Sequence, residues 1–253
     1  MKRRFFSSWK YLQHENPLGL PRSGAPPELP RRQRGLPQKR NIRDVQKVIA
    51  VSSAKGGVGK STISDNQLLP LSNYGVKSMS MGFLVDEKTP VVWRGLMVMK
   101  AIQQLLHEVD WGGLDILVLD LPPGTGDTQL TIAQQVNLDG AVIVSTPQDI
   151  ALKDSVKGIS MFEKVNVPII GMIQNMAVFT CPNCHQSTHI FGSEGVVREC
   201  KNHNVPFLGS IPLHARICED ADRGKPTIVA EPSSERAKAF SDIADQVITI
   251  LRI

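Results

Sequence analysis

From Asp44 onward, short apolar runs bounded by turn residues alternate with longer stretches of helical spacing. The runs KVIAVSS, VKSMSMGFLV, DILVLDL, GAVIVST, PIIGMIQNM and PFLGSIP are nearly continuous in apolar residues. A strand covered by helices on both faces needs apolar side chains on both, so these runs predict a buried, mostly parallel sheet. Between them, Leu96, Met99, Ile102, Leu105, Leu106 and Val109 recur at helical spacing within residues 92–109, and residues 234–251 repeat the pattern. The predicted fold class is α/β, a doubly wound sheet.

Composition changes this picture mainly at the N-terminus. Of the residues from 1 to 43, eleven are Lys or Arg and two, Glu15 and Glu28, are acidic; the rest of the chain has 18 basic and 22 acidic residues. The formal charge of +5 therefore belongs to the leader, and the acidic remainder gives no support to a nucleic-acid-binding face. Phe5, Phe6, Trp9, Tyr11 and Leu12 lie among Lys2, Arg3, Arg4 and Lys10 with no acid before Glu15. That composition fits an organelle transit peptide, with a disordered basic tail as the alternative reading. Six prolines between Pro17 and Pro37 oppose regular structure there. The expected organisation is a basic transit peptide and Pro-rich linker over 1–43, then one domain over 44–253. No apolar run approaches the ~18 residues of a membrane-spanning helix.

The stretch AKGGVGKST, Ala54 to Thr62, follows the strand VIAVSS. Gly56, Gly57 and Gly59 let backbone N–H groups approach phosphate oxygens, Lys60 adds charge, and Ser61 offers a hydroxyl to Mg²⁺. The phosphate-loop pattern asks for glycine at position 54, where this chain has Ala54 followed by a second lysine, Lys55. In LVLDLPPGTGD, Asp120 ends a buried strand where a carboxylate can hold the Mg²⁺ shell. Asp127 is placed either to sense a terminal phosphate or to cap the next helix.

TCPNCHQSTH sets Cys181 and Cys184 two residues apart. Two thiolates at this spacing can share a metal centre, but one pair supplies only two ligands. The others must come from His185 or His189, or from the same pair in a second subunit. A bridging iron–sulfur cluster, zinc and a redox pair all remain open, and CPNCH also fits haem attachment, for which nothing else here speaks. Cys200 and Cys218 are expected to be buried small hydrophobes.

KGGVGKST resembles the deviant phosphate loop of the P-loop family that includes the MinD and ParA partition ATPases, nitrogenase iron protein and the Mrp/Nbp iron–sulfur carriers. PPGTGD resembles switch II of the Mrp/Nbp branch, and VVWRGLM, VSTPQDIAL and GMIQNM are similar to its mitochondrial members. The resemblance covers most of 45–253. It implies ATP and Mg²⁺ bound by Gly56, Gly57, Val58, Gly59, Lys60, Ser61 and Thr62, with Asn175 near the base and Ser61 and Asp120 on the metal. It also implies a homodimer in which Lys55 reaches the partner's nucleotide, Lys55, Lys60 and Asp120 being the catalytic candidates. A [4Fe–4S] cluster would join Cys181 and Cys184 of both subunits, for delivery to apo-proteins of respiratory complex I in the mitochondrial matrix. The competing reading is a switch ATPase of the MinD or ParA type, or a catalytically defective variant.

One segment departs from the family. Only thirteen residues, Ile63 to Gly75, separate Thr62 from the run that begins at Val76. A crossover with its helix needs about ten to twelve residues, so one connection fits, a helix from Lys60 to Leu69 stopped by Pro70, with no room for a further strand. The family's acidic switch I pattern has no counterpart, and neither Asp65 nor Asp86 sits in a matching context. The resemblance implies an internal deletion of about forty residues, as a splice variant or an imperfect gene model would produce, and with it weak or absent ATP hydrolysis.

Overall fold

The computed structural model describes residues 39–52, 68–80, 95–122 and 127–252; at 95–100, 127 and 128 it describes the backbone alone. Five strands form the main sheet: β1 (Val45–Ser52), β4 (Leu114–Leu121), β5 (Gly140–Ser145), β6 (Ile169–Gln174) and β9 (Phe207–Ser210), in the order β4-β1-β5-β6-β9. Every pairing is parallel, from Val45 opposite Leu114 on one flank to Gln174 opposite Ser210 on the other. Five of the six predicted strands are thus present in this sheet.

The sixth is a correction. Of the run from Val76, β3 (Val76–Ser78) pairs antiparallel with β2 (Leu71–Asn73) in a separate two-stranded hairpin, and 81–85 lie outside the described residues. Tyr74 and Gly75 turn this hairpin with φ of 49° and 77°, the left-handed pair that a tight two-residue turn requires. A short strand thus does fit before Val76, because a hairpin needs no crossover. Nor does a helix reach Leu69: Leu68 makes a parallel bridge to Val109, its carbonyl accepting from the Asp110 N–H at 3.1 Å.

The predicted helices are α1 (Gly95–His107) and α7 (Glu235–Leu251); α2 (Asp127–Gln135), α3 (Asp149–Lys164), α4 (Gly195–His203), α5 (Ala215–Asp222) and the short α6 (Thr227–Ala230) complete the set described. Asp127 opens α2. The Ser234 hydroxyl caps α7 by accepting from the Ala237 N–H at 3.1 Å.

Two cores follow from the alternation of strand side chains. On one face Val48, Ala50, Leu117, Leu121, Ile143 and Met172 pack with residues of α1 to α4, among them Ile102, Ile132, Phe162 and Val196. On the other, Ile49, Val142, Ile170 and Leu208 meet Ile243, Val247 and Leu251 of α7. The packed region begins ahead of Asp44, since Ile42 is buried and the Arg40 N–H donates to the Gln135 carbonyl at 2.8 Å.

Candidate functional site

Because all five strands run parallel, their C-terminal ends share one edge of the sheet. The chain leaves β1 toward β4 and leaves β5 toward β6, so the connections part between β1 and β5. Ligand crevices of such sheets form at this kind of switch point. The phosphate-loop candidates Lys55, Gly56, Gly57, Val58, Gly59, Lys60, Ser61 and Thr62 lie outside the described residues, but β1 ends at Ser52 and delivers the chain to this edge. Asp120 lies exposed near the end of β4 with its backbone opposite Val51, the penultimate residue of β1. A carboxylate and the strand that leads into the glycine-rich segment are therefore neighbours in the sheet.

Asn175 follows β6 at the same edge. Its N–H donates to the Ser145 carbonyl at 2.8 Å, which joins the ends of β5 and β6, and its Oδ1 accepts from the Met176 N–H at 2.9 Å. Sequence reasoning missed the buried Gln174 that precedes it. Gln174 is buried, and its Nε2 donates to the Ser193 carbonyl at 3.1 Å, drawing the loop before α4 onto the sheet edge. Gly195 permits that approach, because a Cβ there would stand 2.5 Å from the Pro147 carbonyl oxygen.

The cysteine pair sits a few residues downstream of Asn175, on a hairpin of β7 (Phe179–Thr180) and β8 (Ser187–Thr188) with two ladder pairs. The Cys181 N–H donates to the Gln186 carbonyl at 3.0 Å, and the Cys181 carbonyl accepts from the His185 N–H at 2.9 Å. His185 has φ of 55°, closing the turn. Cys181 is half-buried and Cys184 exposed. N–H groups of Cys184 and Asn183, then the Cys184 side chain, hydrogen-bond the Cys181 sulfur and hold its thiol below the ordinary value, outweighing the slight desolvation. This is the environment a thiolate ligand needs.

Neither histidine completes a site within the chain. His189 Nδ1 lies 3.0 Å from the Ala177 carbonyl oxygen, a contact that leaves Nε2 to its surroundings. Among the described residues no group of three His, Cys, Asp or Glu side chains converges to hold a metal ion. Of the other cysteines, Cys200 is buried as expected, and burial, aided by Glu199, pushes its thiol up to about 11. Cys218 is a correction: it is exposed on α5, because the buried side of this short helix is formed around Asp220.

Comparison with known proteins agrees with this geometry. The family model of the NUBPL iron-transfer P-loop NTPases matches residues 64–248. The mouse iron–sulfur cluster transfer protein NUBPL is 47% identical, with 87% of this chain and 82% of the mouse protein covered. An Arabidopsis iron–sulfur protein required for mitochondrial NADH dehydrogenase is 43% identical over 83% of this chain and 80% of its own. A nucleotide-binding protein from Archaeoglobus fulgidus, solved in complex with ADP, superposes with a TM-score of 0.60 at 33% identity, covering 77% of this chain and 79% of that one. The mouse match runs over 261 positions, more than the 253 residues of the whole chain, although only 87% of the chain takes part. About 41 aligned positions thus have no residue here, since 87% of 253 is about 220. This agrees with the shortened first crossover. The chain belongs to the NUBPL iron-transfer P-loop NTPase family.

Proposed function

We propose that this chain is an ATP-binding carrier that holds a [4Fe–4S] cluster between two copies of itself and hands it to apo-proteins of respiratory complex I. The observation that carries this reading is the Cys181–Cys184 hairpin, which presents two thiols, one of them exposed, with no third ligand converging on them among the described residues. Four thiolates suit such a cluster, and two copies meeting at a two-fold axis supply them. Met176 and Ile190, which precede and follow the hairpin in the chain, are 39% and 53% exposed, apolar side chains suited to meeting another subunit. Cluster and iron are cargo here, held by Cys181 and Cys184.

The nucleotide belongs to the same sheet edge. Gly56, Gly57, Val58, Gly59, Lys60, Ser61 and Thr62 would cradle its phosphates, with Ser61 and Asp120 on Mg²⁺, Asn175 near the base and Lys55 reaching the partner's nucleotide. Nucleotide and cargo would communicate through the five residues that separate Asn175 from Cys181. The names of the mouse and Arabidopsis relatives support the cargo and the complex I destination. The basic N-terminal part of residues 1–43 would act as a transit peptide to the mitochondrial matrix, followed by the Pro-rich linker, and the last of these residues, Arg40 and Ile42, pack onto the working domain.

Anaerobic reconstitution with iron and sulfide tests the reading. The expected product is a dimer carrying about four irons, lost in Cys181→Ala. Binding of zinc alone, or no metal at all, overturns it.

A further inference from the structure

The cysteine hairpin is too small to hold its own shape. Its ladder consists of Phe179 opposite Thr188 and Thr180 opposite Ser187, and two-stranded ribbons are marginal even when longer. Its base, however, is fixed on two sides. On one, the Ala177 N–H donates to the Ile211 carbonyl at 3.0 Å, the Leu213 N–H donates to the Val178 carbonyl at 2.9 Å, and Phe179 bridges Leu213. On the other, the imidazole of His189, the first residue after β8, returns to the Ala177 carbonyl at 3.0 Å. A carbonyl oxygen only accepts, so Nδ1 carries the proton in this contact. The bond joins the two ends of the segment 177–189, and Ala177, its fixed end, is buried at 4% exposure two residues beyond Asn175.

We propose that His189 is a positioning residue: its Nδ1–H clasps the cysteine hairpin shut and aligns it with the Asn175 loop, and it is not a metal ligand. The proposal rests on the carrier reading for its purpose but not for its geometry. Without the clasp, β7 remains tied to residues 211–213 while β8 is held by its two ladder pairs alone, and the turn that carries Cys181 and Cys184 loosens against the Asn175 loop. Metal sites tolerate little such looseness in their ligands.

Two variants separate a clasp from a ligand. In His189→Asn the side-chain amide keeps an N–H donor close to the position of Nδ1, whereas His189→Ala keeps none. Two measurements on the full chain read the result. In the metal-free protein, hydrogen exchange at the Cys181 and His185 amides is expected to speed up roughly threefold to tenfold in His189→Ala, the loss of one net hydrogen bond, and to stay near wild type in His189→Asn. In the iron-loaded protein, loss of iron to a chelator should follow the same order. Unchanged exchange in His189→Ala overturns the clasp. Iron loss as fast in His189→Asn as in His189→Ala, with exchange preserved in the former, overturns the claim that the ring is no ligand. If wild type takes up no iron, the carrier reading fails, and the exchange measurement still decides the clasp.

Discussion

The two sides of β1 differ sharply. Toward β5 the sheet continues for three more strands, and α3, α4 and α7 cover their faces. Toward β4 it continues, among the described residues, for one strand only. There Val118, on the same face as Asp120, is 54% exposed, whereas Val142 of β5 is 3% exposed under α7. Relatives hold about 41 more aligned positions than this chain, and the sequence departs from the family between the phosphate loop and Val76, which is where the described sheet thins. The cysteine hairpin and Asn175 belong to the complete side. On the function proposed above, the loss falls on the machinery that times an event and leaves the machinery that carries the load.

Truncation on the complete side should cost most. Phe162 of α3 has 0% exposure within the first core, and Phe162→Ala should lower stability by about 3–5 kcal/mol, read by denaturant titration. A loss below about 1 kcal/mol would mean that this core is loose and that the contrast between the sides is false.

The second test addresses timing. ATP should still bind, yet phosphate release should run about 10²- to 10³-fold below that of a full-length relative such as the mouse protein, the scale of losing one transition-state contact. Equal turnover, abolished by Lys60→Ala, would show that the shortened crossover is no handicap.

The smallest effect belongs to the thin side. Val118→Ser should change stability by no more than about 0.5 kcal/mol, since an exposed valine contributes little burial, and it should reduce aggregation on heating. A penalty comparable to a core truncation would mean that another surface covers this face.

Most of the sheet was legible because strands covered on both faces carry continuous apolar runs, and five of those runs are where the pattern put them. Val76 misled for the same reason. An apolar run without neighbours to complete a crossover closed locally through Tyr74 and Gly75, and the signal available was the SNYG turn sequence, with glycine at its last position. At the site, the spacing of Cys181 and Cys184 could be read directly, because ligand separation is local. The use of His189 could not, because its partner is a backbone carbonyl twelve residues away, and a backbone atom leaves no mark on residue identity. The exposure of Cys218 was hidden likewise, since α5 is too short for its buried side to set a clear period.

The bare face around Val118 also has a bearing on abundance. A sheet edge with exposed apolar side chains resembles the late folding intermediates that chaperones retain and proteases remove. In a cell, a change of about 1–2 kcal/mol is enough to alter the amount of a marginal protein several-fold. The number of copies of this carrier would then be set less by how well two cysteines hold iron than by how long one exposed valine on an edge strand escapes inspection.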